Sequence, residues 1–283
     1  MRTSRPFLGA AFLALSALLF AAMGVAVREA SANVNNETIV FVRNLVGFLF
    51  FIPMLMTKGF TPFKTQKLKS HFWRGFYGLA AMYCFFYAIA HLPLSDAMVF
   101  TYAAPVFMPF IAYFWLKEPL SKRVLFFSLL GLVGVLLVAK PSNALFNLLS
   151  LVGLGASIMA ATAYVSIREM SDTEPAFRIV FYFALFSTLL SSIPLIWAWQ
   201  PVSSQNLLWM GIAGLLAAFA QITMSKAYTQ ASPTVIGPFA YSAIIFAGIF
   251  GWMRWNEVPD IASVLGALLI IASSVLALVY RKR

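Results

Sequence analysis

Arg43 is the one cation that lies well inside an apolar stretch of this chain, in the run 39–45. A cation in such surroundings is costly, so it normally pairs with another group or contacts a substrate. The chemistry that it offers is charge recognition, by direct contact with a solute or a carboxylate. The alternative is a structural tether, in which the side chain snorkels to the nearby end of its helix.

Prolines mark two further helical faces that could line a substrate path. Pro105 and Pro109 fall in one apolar run and Pro238 in another. A proline inside a helix frees a backbone carbonyl, which is tolerated beside protein or a wet cavity. Tyr102 and Tyr241 lie on these faces, so we expect them to face a central cavity. The alternative is that they are core aromatics whose hydroxyls bond backbone carbonyls.

Four more polar residues lie deep in apolar runs and are candidates for the same cavity, namely Tyr83, Tyr164, Tyr182 and Gln221. Asp96 opens a run directly after Ser95, where helix capping is one explanation and proton coupling the other. Glu118 and Glu257 end two runs and are expected to make orienting hydrogen bonds across the bundle. No His and Cys spacing indicates a metal site, and no catalytic residue or cofactor is expected.

The composition explains which elements must position these residues. Of the 283 residues, 61% are hydrophobic and 10% are charged, against roughly 25% charged residues in an ordinary soluble domain. Ten apolar runs each approach the roughly 20 residues that cross a bilayer. They span residues 7–28, 37–57, 72–91, 94–116, 122–139, 146–168, 175–198, 206–228, 233–254 and 260–280. The sequence therefore predicts an all-α integral membrane protein with ten transmembrane helices, the first being retained rather than cleaved.

The net charge of +11 is distributed unevenly. If the N-terminus is cytoplasmic, most Lys and Arg residues fall in or beside cytoplasmic segments, and only Arg28, Lys140 and Arg254 fall on the opposite side. This positive-inside bias predicts that both termini are cytoplasmic. Basic loops beside a lipid bilayer account for the charge, so nucleic acid is not expected as a partner.

The two halves of the chain repeat one another at an offset of 139 residues. The offset superimposes Gly75 on Gly214, Phe107 on Phe246 and Glu118 on Glu257. Five helices in each half reverse the direction of the second copy, as in transporters whose halves are related by an axis in the membrane plane. We predict a first repeat over residues 1–140 and a second, inverted repeat over residues 146–283.

With these features the sequence resembles the ten-helix EamA-type branch of the drug/metabolite transporter superfamily, over essentially the whole chain. The resemblance is carried by Arg43, Arg74-Gly75, Tyr87-Ala88, Pro105, Lys117-Glu118, Lys226-Ala227, the segment 237–241 and the segment 256–259. It implies a carrier of the bacterial inner membrane, generally an exporter of amino acids, nucleobases, related metabolites or toxic compounds. Arg74 matches Ala213 in the second copy, and its position predicts a cytoplasmic anchor.

The predicted function is a secondary transporter, an exporter of small organic metabolites such as amino acids, that alternates access to a midplane cavity. No P-loop is present, so the driving force is an ion gradient, with protons as the candidate coupling ion, or the solute gradient. Two alternatives stay open: uptake or exchange of S-adenosylmethionine or another organic cation, and a passive channel. An enzyme is not expected, because the apolar runs contain no convincing general-base cluster. The sequence does not determine the oligomeric state.

Overall fold

The computed structural model describes residues 5–91, 103–140 and 150–280, and within these ranges the chain forms helices and turns but no strand. The first half contains α1 (Pro6–Ser31), α2 (Asn36–Leu49), α3 (Ile52–Lys58), α4 (Leu68–His91), α5 (Ala104–Leu116) and α6 (Lys122–Ala139). The second half contains α7 (Ser150–Met170), α8 (Ala176–Ser191), α9 (Leu195–Ala198), α10 (Ser204–Gln230), α11 (Pro233–Ile236), α12 (Ser242–Trp255) and α13 (Ile261–Val279).

The helices have the length and surface of membrane spans. Seven stretches are long and apolar enough to cross a bilayer, namely Pro6–Ser31, Asn36–Lys58, Lys122–Ala139, Leu151–Met170, Ser204–Gln230, Pro233–Trp255 and Ile261–Val279. Large apolar side chains such as Phe114, Ile196 and Met253 are exposed, a surface that suits hydrocarbon rather than water. The chain is an all-α integral membrane protein. The count of ten spans stays a prediction, because residues 92–102 and 141–149 lie outside the described ranges.

Two of the predicted spans are broken helices. The second, predicted over residues 37–57, consists of α2 and α3, and the seventh, predicted over residues 175–198, consists of α8 and α9. Pro53 lies at the start of α3 and Pro194 directly before α9. Each proline lacks an N–H and its ring clashes with the carbonyl four residues earlier, which interrupts the helix. Each of these two predicted spans therefore consists of two helical segments.

Local geometry repeats between the halves at the same offset of 139 residues. Lys117 and Asn256 each follow a helix in the left-handed region, with φ of 57° and 56°. The next helices, α6 and α13, start after Ser121 and Asp260, and each of these side chains accepts a hydrogen bond from the amide three residues later. The matched residues are thus capping residues with the same backbone role.

Equivalent residues lie at opposite ends of the bundle. Glu118 accepts a hydrogen bond from Ser232. Ser232 lies near the start of α1, because the amide of Arg5 donates to the carbonyl of Gln230, the last residue of α10. Glu257 instead contacts Arg28, in the last turn of α1. The 26 residues of α1 separate these regions by about 39 Å, at 1.5 Å per residue. We call them the Glu118 end, predicted to be cytoplasmic, and the Glu257 end.

The bundle interior is built jointly by both halves. α1 packs along α10, α4 along α7 and α6 along α13. Where α6 and α13 cross, a Cβ atom at Gly134 would lie 2.8 Å from the carbonyl oxygen of Gly266, and one at Gly266 would lie 2.6 Å from that of Gly134. Only residues without a Cβ allow backbones to approach this closely. Polar residues from different halves can therefore meet in the interior.

Candidate functional site

The side chain of Arg43 lies inside the bundle and is 5% exposed. Its Nη1 atom donates to Oδ1 of Asn44 at 2.9 Å, and the sulfur atoms of Met23 and Met82 lie 3.3 Å from Nε and 3.7 Å from Nη1. Thioether sulfur is a weak acceptor that carries no charge. The side chain does not snorkel to a membrane surface, and whether it contacts a solute or acts as a structural tether inside the bundle stays a prediction. No carboxylate among the described residues forms an ion pair with it.

Arg74 is buried in the same part of the bundle and is 1% exposed. Its Nη2 atom donates to Oε1 of Gln221 at 2.7 Å, and its guanidinium lies 3.7 Å over the ring of Phe183 as a cation–π contact. Gly78 makes room for it, because a Cβ atom there would lie 3.1 Å from Nη1 of Arg74. The prediction of a cytoplasmic anchor is wrong, because this side chain turns toward the interior.

A small cavity of about 20 Å³ lies beside Arg43 and includes Gln221 and Phe183, the two residues that Arg74 contacts. It is lined by Arg43, Asn44, Gly47, Val180, Phe183, Ala184, Ala217, Ala218 and Gln221. The lining comes from α2 in the first half and from α8 and α10 in the second, and it includes the predicted cavity residue Gln221. This volume suffices for about one water molecule. A metabolite can enter only when the helices around the cavity separate.

Several polar atoms on the surrounding helices have no hydrogen-bond partner within the described part of the chain. They are Nδ2 of Asn44, Nε and Nη1 of Arg74, and the hydroxyls of Tyr83, Ser225 and Tyr228. An unsatisfied buried polar group costs about 1–3 kcal/mol. Buried polar groups of this kind call for an explanation.

Two of the predicted cavity tyrosines stay near this region. Tyr83 follows Met82, the residue whose sulfur approaches Arg43. Tyr164 stacks on Tyr228 with ring centroids 5.6 Å apart, and it is close enough to interact with the charge of Arg74. Both tyrosines lie on helices, α4 and α7, that pack along each other. Their role in a cavity stays a prediction.

Tyr241 does not line the cavity. Its side chain is fully buried, and its hydroxyl donates to the backbone carbonyl of Ser128 at 3.0 Å. The ring fills the space over Gly131, where a Cβ atom would lie 2.5 Å from it. The expectation of a cavity residue is wrong here, because the ring is held between α6 and α13 and its polar atom is satisfied. This matches the core-aromatic alternative.

The two broken faces do meet, although Tyr241 turns away. A Cβ atom at Gly237 would lie 3.7 Å from Cβ of Pro105 and 3.0 Å from the sulfur of Met108. Pro238 lies in the 3-10 turn Gly237–Tyr241 between α11 and α12, and its carbonyl accepts a hydrogen bond from Ser274 at 2.9 Å. Pro105 and Pro238 are thus buried at a contact between the halves. The carbonyl of Pro238 is already bonded to Ser274 and is not directed at a solute.

Tyr182 belongs to a different cluster, at the Glu118 end. Its hydroxyl donates to the backbone carbonyl of Phe63 at 2.9 Å, and its ring stacks on His71 with centroids 4.5 Å apart. Phe63 lies between α3 and α4, outside the cavity lining. The prediction that Tyr182 lines the cavity is therefore wrong.

Glu174 organises this cluster, although it is 3% exposed. Its carboxylate accepts hydrogen bonds from Thr65 at 2.8 Å and from Arg178 at 3.0 Å, and it lies 3.3 Å from Nε2 of His71. Burial disfavours the ionised form, but the hydrogen bonds from Thr65, Arg178 and His71 outweigh it and hold the pKa of Glu174 below its usual value. We call these residues, with Tyr182, the Glu174 network. It fastens the α3–α4 loop to the α7–α8 turn.

The matched glutamates make polar contacts between the halves at the two ends. Glu118 accepts from Ser232 and lies 3.8 Å from Arg168, whereas Glu257 accepts from Arg28 at 2.8 Å. The Glu257 end also carries Lys140, which pairs with the capping residue Asp260 and, with the Ser263 amide, lowers the pKa of Asp260 to about 2.

Two predicted residues, Asp96 and Tyr102, lie outside the described residues, and their roles stay predictions. Within the described ranges, no group of three His, Cys, Asp or Glu side chains is placed to hold a metal ion. The cavity presents the positive charge of Arg43 and the amides of Asn44 and Gln221, and Arg74 lies beside it on Gln221. These groups suit binding rather than a chemical transformation.

Two important residues, Asn44 and Glu174, were missed from the sequence, and Arg74 was assigned to the wrong place. Arg74 had a signal, because it is absent from the second copy and lies one turn before Gly78. Asn44 also had one, because it follows Arg43 directly inside an apolar run. Glu174 had none, because a carboxylate in a short turn is ordinarily solvated and its burial depends on the distant loop that covers it.

The sequence profile of the EamA-like transporter family matches residues 7–140 and again residues 148–279. The pseudopaline exporter CntI of Pseudomonas aeruginosa (strain UCBPP-PA14) is 32% identical over 270 residues, 94% of each protein. The S-adenosylmethionine uptake transporter of Rickettsia prowazekii is 24% identical over 245 residues, 87% of this chain and 83% of that protein. A solved structure described as "Crystal structure of protein" has the same fold, with a TM-score of 0.79 at 17% identity over 95% of this chain and 96% of its own. The chain belongs to the EamA-like transporter family.

Proposed function

We propose that the protein is a secondary transporter that exports small organic metabolites, amino acids among them, across a bacterial inner membrane. Two inverted five-helix repeats, residues 1–140 and 146–283, rock around a site near the bilayer midplane and expose it alternately to each side. Both termini face the cytoplasm, so the Glu118 end is the cytoplasmic end.

The buried polar cavity between the halves is the observation that carries this proposal. Arg43 and Asn44 come from the first half, and Phe183 and Gln221 come from the second. A site that is shared by two units changes its accessibility when the units move relative to each other. Charged and amide groups in the interior of a membrane protein normally mark a substrate pathway rather than a packing contact.

The closure of the cavity supports alternating access over a passive channel. The space at Arg43 is about 20 Å³, too small for any organic metabolite, and the Glu174 network fastens two connections together at the Glu118 end. A channel requires a continuous path through both ends, whereas a carrier passes through closed states.

The relatives differ in the direction of transport that their names state. The more similar one is named as an exporter, which favours export here, and the more distant one is named as an uptake transporter. An organic cation is the less favoured solute, because the charges in the cavity region belong to arginines and would repel it.

Counterflow in proteoliposomes tests the proposal. Vesicles that contain the purified protein and are loaded with unlabelled amino acids or organic acids should accumulate the corresponding labelled solute, with saturation at high concentration. Flux that never saturates and shows no counterflow would indicate a channel instead.

An imposed pH gradient tests proton coupling, and the variant Asp96→Asn should lose the gradient dependence if this carboxylate carries the coupled proton.

A further inference from the structure

Two positive charges lie in the bundle interior without a counter-ion among the residues that the structure describes. Every carboxylate in a described ion pair contacts another cation, such as Arg28, Arg168 or Arg178. Arginine cannot be deprotonated in proteins, so Arg43 and Arg74 stay charged. A buried cation that lacks a partner is strongly unfavourable, and something other than these protein groups must compensate it at some stage of the transport cycle.

Both guanidinium groups belong to or contact the lining of one cavity. Arg43 lines the cavity directly, and Arg74 is held beside it by its hydrogen bond to the lining residue Gln221. The Nε and Nη1 atoms of Arg74 and the Nδ2 atom of Asn44 are buried donors without a described acceptor. The site thus offers N–H donors that lack a described acceptor and positive charges that lack a described counter-ion.

The surrounding backbone holds these arginines in position. Gly78 leaves the space that the guanidinium of Arg74 occupies over Phe183, and Gly214 of α10 approaches the backbone of Arg43, where a Cβ atom would lie 2.9 Å from its carbonyl oxygen. Larger residues at either glycine would displace an arginine or its helix. Close packing therefore fixes both charges, as a binding site requires.

We propose that Arg43 and Arg74 bind the carboxylate groups of an anionic metabolite, so that the solute is an organic acid with two or more carboxylates. The inference rests on the proposed transport function and names its substrate class. A guanidinium binds a planar carboxylate through two parallel hydrogen bonds. Two guanidinium groups at the lining of one cavity match a solute that carries two carboxylates.

Thermal unfolding of the purified protein in detergent tests the ligand class, with probes at matched ionic strength. Citrate and glutamate should raise the unfolding temperature, whereas glutamine, lysine and inorganic phosphate should not. A shift with glutamine or lysine as large as that with citrate would overturn the proposal, because neither is a net anion. A shift with phosphate alone would replace the carboxylate site by a phosphate site and would also overturn it.

The variants Arg43→Met and Arg74→Met separate a ligand-binding role from a structural one. Without ligand they should unfold at the wild-type temperature or above it, because they remove a buried charge that has no described counter-ion. Their affinity for citrate should fall about tenfold or more, since each loses charge-assisted hydrogen bonds. The matched control is Arg178→Met, which removes a paired arginine and should lower the unfolding temperature but keep the citrate shift.

Two results would identify the arginines as structural: lowered unfolding temperatures in Arg43→Met and Arg74→Met, or a citrate shift that both variants retain. Counterflow distinguishes failure of this inference from failure of the transport function. Exchange of neutral amino acids that is unchanged in both variants would refute the anion site and leave the transporter intact. Absence of counterflow for every probe, organic acids included, would refute the transport function.

Discussion

The two ends of the bundle carry different kinds of polar contact. At the Glu118 end, the side chains of Glu174 and Arg178 are 3% and 18% exposed. At the Glu257 end, the side chains of Arg28 and Glu257 are 49% and 53% exposed. Exposed ion pairs contribute little stability because water and salt screen them, whereas breaking a buried pair leaves a charge without compensation. The Glu118 end is therefore the more firmly closed of the two.

Packing reinforces this difference. Phe51, Phe63 and Phe181 form a buried aromatic cluster beside the Glu174 network. At the Glu257 end, by contrast, a surface depression of about 440 Å³ lies between Glu29 and Trp209. Polar contacts between helices resist separation more strongly where apolar packing excludes water from them.

The variant Glu174→Gln should have the largest effect on this contrast. It removes the negative charge that Arg178 and His71 face, so we expect a loss of about 3 kcal/mol in the free energy of unfolding. Chemical unfolding of the purified protein in detergent measures it. A loss below that of Glu257→Gln would show that the buried network does not stabilise this end.

The same variant should also increase access to the cavity. Cys84 is the only cysteine, so Cys84→Ala provides a background in which Ala184→Cys reports from the cavity lining. Glu174→Gln should accelerate labelling of this cysteine by a membrane-impermeant maleimide applied to the Glu118 end. An unchanged labelling rate would mean that the network does not close this path.

Acid should weaken the Glu118 end in the same way. The pKa of Glu174 lies below its usual value of 4.5, so its contribution is complete above the unfolded-state pKa and is lost as the pH falls through the folded-state pKa. Unfolding temperatures measured from pH 7 to pH 3 should fall in the range below pH 4.5. Glu174→Gln should lack this part of the pH dependence, and an identical profile in the variant would refute the assignment.

Tyr182→Phe should have an intermediate effect. It removes the hydrogen bond to the Phe63 carbonyl and keeps the ring on His71, so we expect a loss of about 1 kcal/mol. Tyr241→Phe is the matched control, because it also removes one buried bond to a backbone carbonyl. Both should lose similar stability, but only Tyr182→Phe should accelerate cavity labelling. Acceleration in both variants would mean that the effect is not specific to the network.

Glu257→Gln should have the smallest effect, about 0.5 kcal/mol or less, because its ion pair with Arg28 is half exposed. Arg28 also keeps its cation–π contact with Trp255, at 4.0 Å. The difference from the wild type should vanish in high salt, as measured by thermal unfolding. A loss comparable to that of Glu174→Gln would remove the contrast between the two ends.

Hydrophobicity and local backbone chemistry made much of the fold predictable. The offset of 139 residues relates the left-handed residues Lys117 and Asn256, and the capping residues Ser121 and Asp260. These features depend on a few neighbouring residues. The breaks near Pro53 and Pro194 also depend on local chemistry, because a proline inside an apolar run interrupts its helix.

The sequence alone establishes an all-helical membrane protein of the EamA-like family and singles out Arg43 as a costly charge in an apolar helix. Three-dimensional packing determines which polar groups meet. Arg74 reaches Gln221 across 147 positions of the chain, and Tyr241 turns to a backbone carbonyl 113 positions away. The periodicity of the sequence indicates which face of a helix a residue occupies. Which residue of another helix it contacts there depends on how closely the two backbones approach. At Gly78, Gly131 and Gly214 the missing side chains set that distance.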